Sequence, residues 1–224
     1  MLKLVEEDKL ALQDTLQTYY PAVPEDKKGI TIHQLLSHTS GLPANLSNHQ
    51  LYDVVPHEEY HTKAFSEKLV ADPGEKYQYS NVGYSLLARI VEKVTQLDWE
   101  ANLNKNLFSV AGMTETGYRL PQFSTNRLAI NYAADQTAFQ RFFSIEAKSR
   151  SVGHSLEHLY NKPGDRWMEG AGGLMSTIQD MHKWFLTVRA RRILQADSWE
   201  QLFTPHIPSG ETSFYGVASP LSLA

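Results

Sequence analysis

The most informative stretch of the sequence reads Pro73-Gly74-Glu75-Lys76-Tyr77-Gln78-Tyr79-Ser80-Asn81-Val82-Gly83-Tyr84. A Pro-Gly turn leads into a Tyr-x-Asn triplet, and the residues that follow have the apolar spacing of an amphipathic helix. Asn81 is a residue type that caps helices, so we expect this helix to begin there. Tyr79 and Asn81 would then lie at a helix N-terminus, where backbone N–H groups favour negative charge. On residue chemistry alone, the simplest interpretation of the triplet is an N-cap and a half-buried aromatic side chain.

A second informative stretch lies upstream and reads Ile30-Thr31-Ile32-His33-Gln34-Leu35-Leu36-Ser37-His38-Thr39-Ser40-Gly41-Leu42-Pro43. Thr31 can cap a short helix in this stretch. The expected buried face of that helix has i, i+3, i+4 spacing and consists of Ile32, Leu35 and Leu36. Gly41 and Pro43 follow in the order that ends helices. His38, near the helix end, is interpreted as a hydrogen-bonded structural histidine.

Two further segments flank these stretches. The chain opens with Leu4-Val5-Glu6-Glu7-Asp8-Lys9-Leu10, which is typical of an amphipathic helix. A glycine-rich run later reads Gly170-Ala171-Gly172-Gly173-Leu174-Met175-Ser176-Thr177. Thr177 with Asp180 resembles a capping box for the next helix. The residues that this helix is expected to bury are Ile178, Met181, Trp184, Phe185 and Val188. Ser198 is expected to cap a final helix.

Taken in order, these four segments resemble the signatures of the serine β-lactamase-related family. That family comprises class C β-lactamases, D-Ala-D-Ala carboxypeptidases and β-lactamase-type esterases, and the resemblance covers most of residues 2–203. It implies an α+β fold of the β-lactamase/transpeptidase type. We expect residues 1–224 to form a single incomplete domain with a helical subdomain at roughly residues 11–203. The part present should be mostly α-helical, with most of the antiparallel sheet missing.

The resemblance also implies a mechanism and a substrate class. In the family, the serine of a Ser-x-x-Lys motif attacks an amide or ester carbonyl and forms an acyl-enzyme. The lysine and the tyrosine of Tyr-x-Asn share the proton transfers, and a Lys-Thr-Gly or His-x-Gly strand lines the other side of the pocket. Carried over, Tyr79 is the catalytic acid/base residue and Asn81 is the substrate-binding residue. The implied substrate is a β-lactam, a D-amino-acid peptide or an ester, and no cofactor is expected.

The sequence departs from this pattern at two motifs. No serine has a lysine three residues later, and the nearest case, Ser66 with Lys68, has the wrong spacing. No Lys-Thr-Gly or His-x-Gly occurs downstream of the matched segments. We therefore expect the nucleophile to lie upstream of Met1 and this chain to be inactive as given. An alternative hypothesis is a non-catalytic relative that binds a peptide or another protein.

Two histidine pairs raise a third hypothesis, that of a zinc hydrolase. Residues His57-Glu58-Glu59-Tyr60-His61 fit His-Glu-x-x-His, which places two zinc ligands on one helix face. Glu59, however, puts a charge where metalloproteases usually have an uncharged residue. His154 and His158 fit the inverted pattern His-x-x-Glu-His. We expect no metal at either pair.

Composition limits the remaining function classes. The net charge of -4 and the absence of a basic stripe give no support to nucleic-acid binding. The 224 residues include no cysteine, which excludes disulfides and thiolate metal sites. No apolar run reaches the roughly 18 residues of a membrane-spanning helix. The opening residues become acidic at once and do not form a secretory signal, although family members are often periplasmic or secreted.

Overall fold

Helices make up most of the regular structure in the computed structural model, which describes residues 1–51, 53–119, 127–133, 150–153, 165–208 and 214–215. The helices before residue 104 are α1 (Leu2–Glu6), α2 (Leu16–Tyr19), α3 (Ile32–Leu36), α4 (His57–Ser66), α5 (Asn81–Thr95) and α6 (Trp99–Leu103). The later ones are a π-helical turn (Asn104–Phe108), α7 (Ser109–Ala111), α8 (Ile178–Arg189) and α9 (Ala196–Phe203).

The described strands are short and form two antiparallel pairs. The first pair joins β1 (Asn131–Ala133) to β2 (Arg150–Gly153), and the second joins β3 (Ile207–Pro208) to β4 (Phe214–Tyr215). Most of residues 112–165 lies outside the described residues. The part of the chain that the structure describes is therefore mostly helical, as the sequence predicts.

The core forms around α3 and α5, the two helices that follow the signature stretches. On α3, Thr31 and Gln34 form a reciprocal capping box, because the Thr31 hydroxyl accepts from the Gln34 N–H and the Gln34 side chain accepts from the Thr31 N–H. The expected face of α3 is buried. It packs against fully buried side chains of α5, namely Val82, Leu86 and Ile90. The hydrophobic spacing thus correctly predicts the inner faces of both helices.

Helix α4 lies against α5 and the segment before α8. The Tyr60 hydroxyl donates to the Val82 carbonyl at 3.0 Å. The Tyr60 ring is nearly parallel to that of Trp167, with 6.4 Å between ring centroids. Because Tyr60 and Trp167 are both buried, α4 holds the segment before α8 against the core.

A buried ion cluster fastens the same segment. His57 Nδ1 lies 3.3 Å from a Glu92 carboxylate oxygen, and His57 Nε2 lies 3.3 Å from Glu169. Arg89 pairs with Glu92 at 3.3 Å. Burial alone lowers the pKa of His57, but the adjacent carboxylates of Glu169 and Glu92 outweigh that effect and raise this pKa to about 9. At neutral pH, His57 is therefore a cation between two carboxylates.

The face of helix α8 that is buried differs from the face that the sequence predicts. Thr177 does cap it, accepting from the Asp180 N–H at 3.2 Å. Ile178, Met181 and Phe185, however, are 86%, 52% and 42% exposed, so the prediction that they are buried was wrong. The face that carries Asp180 is buried instead, because the Asp180 carboxylate accepts hydrogen bonds from the Glu115 N–H and the Thr116 hydroxyl.

Helix α9 begins at Ala196 after Gln195, so the prediction of Ser198 as its cap was wrong.

An apolar cavity of about 380 Å³ lies between α1, α5, α8 and α9. The side chains that line it include Leu2, Tyr84, Trp184, Val188, Trp199 and Phe203. None of the helices in the described ranges is long and apolar enough to cross a membrane.

Candidate functional site

The two signature stretches dock on each other through their backbones. The bonds run from Gly74 N to Thr39 O at 2.7 Å, from Gln78 N to His38 O at 2.7 Å and from Asn81 N to Ala44 O at 2.9 Å. Gly41 permits this approach, since a Cβ at its position would lie 2.1 Å from the Ala71 carbonyl oxygen. The loop after α3 therefore sets the path of the backbone through the Tyr-x-Asn triplet.

Ser80, and not Asn81, is the N-cap of α5. Its hydroxyl accepts from the Gly83 N–H at 3.0 Å and donates to the Pro43 carbonyl at 2.7 Å. The prediction that Asn81 caps this helix was wrong by one residue. Both residue types can cap, and the docked loop decides between them, because it presents the Pro43 carbonyl to Ser80. Asn81 is consequently the first helical residue.

The Asn81 side chain is held by Asn45, a residue that no sequence motif singles out. Its Nδ2 donates to the Asn45 Oδ1 at 2.8 Å, while its backbone N–H bonds to Ala44. Neighbouring residues of the docked loop thus orient both the backbone and the side chain of Asn81. Only the tertiary contact between the two stretches brings Asn45 to this position.

Tyr79 lies on the open side of the same turn. Its side chain is 47% exposed, whereas the next residue, Ser80, is buried. The Tyr79 ring contacts the His38 ring, with 4.5 Å between centroids. Tyr79 and Asn81 therefore flank one buried capping residue at the N-terminus of α5, where the helix dipole is positive. This arrangement can present a hydroxyl and an amide to a polar or anionic ligand.

His38 is hydrogen-bonded, which agrees with its interpretation from the sequence as a structural histidine. Its Nδ1 accepts from the Ser80 N–H at 3.1 Å, and the ring is buried between tyrosines. Burial lowers the pKa of His38 to about 4. The neutral imidazole is therefore the form present near pH 7.

Of the two histidine pairs that fit zinc-binding patterns, only the first lies within the described residues. His57 joins the ion cluster, whereas the His61 ring stacks on Tyr20 at 5.1 Å. His57 and His61 thus contact different groups. Within the ranges that the structure describes, no group of three or more histidine or acidic side chains is arranged to hold a metal ion. His154 and His158 lie outside the described residues.

Comparison with known proteins identifies relatives of this chain. The profile of the family described as Beta-lactamase matches residues 1–220. The chain is 26% identical over 223 residues to penicillin-binding protein 4* of Bacillus subtilis (strain 168), covering 96% of this chain and 48% of that protein.

Two solved structures show the same fold. One is D-amino acid amidase from Ochrobactrum anthropi SV3 complexed with D-phenylalanine, with a TM-score of 0.73, 20% identity, and coverage of 96% of this chain and 61% of that one. The other is EstCE1, a hydrolase with promiscuous acyltransferase activity, with a TM-score of 0.75, 20% identity, and coverage of 96% and 64%. The chain thus spans about half the length of the curated relative and less than two thirds of either structure.

Three findings point to the same family. They are the docking of the two signature stretches, the exposed tyrosine beside the asparagine that starts α5, and the match along nearly the whole sequence. The chain belongs to the serine β-lactamase-related family.

Proposed function

We propose that this chain carries the Tyr-x-Asn side of an acyl-transfer active site. Tyr79 would be its acid/base residue, and Asn81 the residue that orients the substrate. One observation carries this proposal: docking of the two stretches buries Ser80 and ties Asn81 to Asn45, yet it leaves Tyr79 47% exposed beside them. This exposure leaves the Tyr79 side chain accessible to a bound substrate.

The chemistry of the two side chains suits the proposed roles. A tyrosine hydroxyl can pass a proton to a leaving group, and an asparagine amide can donate to a substrate carbonyl. One amide hydrogen of Asn81 is directed to Asn45. The other hydrogen and the amide oxygen are the groups that would meet a substrate. The positive end of the α5 dipole would favour negative charge developing nearby.

The reaction also needs a nucleophile, which we propose is supplied by residues outside these 224. No serine in the sequence has a lysine three residues later, and no Lys-Thr-Gly or His-x-Gly follows the matched segments. Residues 1–224 would be a single β-lactamase-like domain that lacks both motifs. By themselves they would form no acyl-enzyme.

The proposed substrate is a small molecule or peptide with an amide or ester carbonyl. The names of the relatives support this range, since they include a penicillin-binding protein, a D-amino acid amidase and a hydrolase with promiscuous acyltransferase activity. A β-lactam, a D-amino-acid peptide and a carboxylic ester all fit an acyl-enzyme route. We propose no nucleic-acid partner.

The test compares two polypeptides by intact-mass analysis after treatment with a fluorescent penicillin and a fluorophosphonate. The 224-residue chain should gain no covalent adduct. A longer product, translated from in-frame codons that encode Ser-x-x-Lys upstream of Met1, should be labelled. Tyr79→Phe in that product should slow labelling by about 10²–10⁴-fold. Tyr132→Phe, at an exposed tyrosine of β1, should leave the rate unchanged.

Two outcomes would overturn the proposal. A stoichiometric adduct on the 224-residue chain would show a nucleophile within it. Absence of upstream codons for Ser-x-x-Lys would instead favour the non-catalytic, peptide-binding relative.

A further inference from the structure

His38 has an unusual position next to the Tyr-x-Asn triplet. It lies two residues beyond α3, with φ of +55° and 2% exposure. A left-handed backbone is uncommon for residues other than glycine, although asparagine, aspartate and histidine tolerate it best. The turn at His38 directs its ring towards the triplet rather than into the core under α3.

The His38 backbone and ring together hold the chain on both sides of Tyr79. The His38 carbonyl accepts from the Gln78 N–H at 2.7 Å. Its ring Nδ1 accepts from the Ser80 N–H at 3.1 Å. Because a backbone N–H can only donate, Nδ1 carries no proton, and the neutral ring has its proton on Nε2. The residue before Tyr79 and the residue after it are therefore both tied to His38.

The His38 ring also lies between two tyrosine rings. The centroid distance is 4.5 Å to Tyr79, with the planes tilted by 38°, and 4.5 Å to Tyr84, with the planes nearly parallel at 22°. Tyr84 is anchored independently, since its hydroxyl donates to the Leu36 carbonyl at 2.9 Å. Tyr84 therefore supports the imidazole ring that Tyr79 also contacts.

We infer that His38 is the positioning residue for Tyr79, with its ring restricting the half-exposed tyrosine to one side-chain rotamer. The inference rests on the proposed function in which Tyr79 is the acid/base residue. An exposed tyrosine without such support would sample several staggered rotamers. Restricting Tyr79 to one of them would keep its hydroxyl in the orientation that proton transfer requires.

His38→Asn separates the two contributions of this residue. Asparagine tolerates a left-handed backbone, and its Oδ1 can replace Nδ1 as the acceptor for the Ser80 N–H. This variant should keep the backbone tie and lose only the ring. His33→Asn is the matched control, because His33 lies on α3 and its ring contacts His206 instead. His38→Ala removes both contributions, and its folding is not needed for the test.

The measurement is the χ1 rotamer of Tyr79, from three-bond couplings of Cγ to the backbone nitrogen and carbonyl carbon in the isotope-labelled 224-residue chain. Tyr79→Phe identifies the Tyr79 signals. We expect one rotamer in the unmodified chain and in His33→Asn, and averaged couplings at Tyr79 in His38→Asn. Tyr84 should keep a single rotamer throughout, because its hydroxyl bond to Leu36 persists.

A single Tyr79 rotamer in His38→Asn would overturn the inference, and so would averaged couplings in the unmodified chain. Averaging of Tyr84 together with Tyr79 would also overturn it, since that result would mean general loosening. The couplings are independent of any covalent labelling. A failed acylation test would therefore remove the proposed function and leave this result standing.

Discussion

At the scale of single residues, the site depends on which of two adjacent capping residues starts α5. Ser80 caps the helix and binds the Pro43 carbonyl, while Asn81 follows as the first helical residue and binds Asn45. The capping oxygen is thus buried and structural, and the asparagine amide remains beside the exposed tyrosine. Helix capping and the amide contact are thus divided between Ser80 and Asn81.

The division can be tested by comparing Ser80→Ala with Asn81→Ala. Ser80→Ala removes the cap and leaves the Pro43 carbonyl without its donor, so we expect a loss of about 1–2 kcal/mol in the free energy of unfolding. Asn81→Ala removes a hydrogen bond between exposed side chains. Its loss in the free energy of unfolding should be only a few tenths of the loss expected for Ser80→Ala. Urea denaturation followed by circular dichroism measures both. Equal losses would contradict the assignment of Ser80 as the cap.

At the scale of elements, the glycine-rich segment is fitted closely against α5. Gly170 has φ of +100°, and a Cβ there would lie 2.6 Å from the Ala88 Cβ and 2.9 Å from the Tyr84 carbonyl oxygen. Both the backbone angle and the close approach require glycine. The contact connects this segment to the helix that carries Asn81.

Gly170→Ala should therefore destabilise the fold. We expect a lowering of the free energy of unfolding by about 1–3 kcal/mol, through steric overlap and the unfavourable backbone angle. Gly29→Ala is the control, because nothing lies within 4 Å of a Cβ at Gly29. The two variants are compared by denaturant titration. A Gly170→Ala variant as stable as Gly29→Ala would show that the segment adjusts without cost.

Helix α8 presents an apolar stripe to solvent. Ile178, Met181 and Phe185 share one helical face and are exposed. Trp184 and Val188, on the adjoining side of the helix, line the apolar cavity. The stripe and part of the cavity lining thus lie on the same helix, and soluble monomers rarely expose a large apolar patch.

We expect this surface to cause concentration-dependent self-association of the 224-residue chain. The double variant Ile178→Lys/Phe185→Lys should weaken association without reducing stability, because both side chains already face water. Gln179→Lys, on the exposed part of the same helix, is the matched control for added charge. Sedimentation velocity over a concentration series provides the readout. Unchanged association in the double variant would exclude the stripe as its cause.

At the scale of the whole molecule, the buried ion cluster joins α4, α5 and the segment before α8. His57 belongs to α4, Arg89 and Glu92 belong to α5, and Glu169 lies in the segment before α8. Removal of one partner would leave buried charges uncompensated, which is more costly than absence of the whole group. The cluster therefore couples the stability of three distant parts of the chain to pH.

This coupling predicts a loss of stability on the alkaline side. The folded-state pKa of His57, about 9, lies above its ordinary value of 6.5. The contribution of His57 is therefore fully present below pH 6.5 and is lost as the pH rises through 9. Because one pKa unit corresponds to about 1.4 kcal/mol, the loss should approach about 3 kcal/mol.

His57→Gln should abolish this pH dependence between pH 6.5 and 9. Unfolding free energies of the variant and the unmodified chain across that range give the difference directly. His182→Gln, at an exposed position on α8, should retain the slope. If His57→Gln also retained it, the slope would have to come from other groups.

Local sequence predicts the helices next to the two signature stretches, their apolar faces and the family. Local spacing and capping chemistry specify α3 and the buried side of α5, because these features depend only on residues within a few turns of one another. The four signature segments likewise identified Tyr79 and Asn81 as candidates. The Thr177 cap was predicted on the same local grounds.

Other features depend on contacts between distant segments and therefore follow from the fold. The docked loop brings Pro43 to Ser80 and Asn45 to Asn81, so the capping residue and the asparagine partner follow from packing. Asp180 turns inward towards Glu115 and Thr116, which sends the apolar stripe of α8 outward. Helical periodicity shows that a helix has an apolar face, but the surrounding segments determine whether that face is covered.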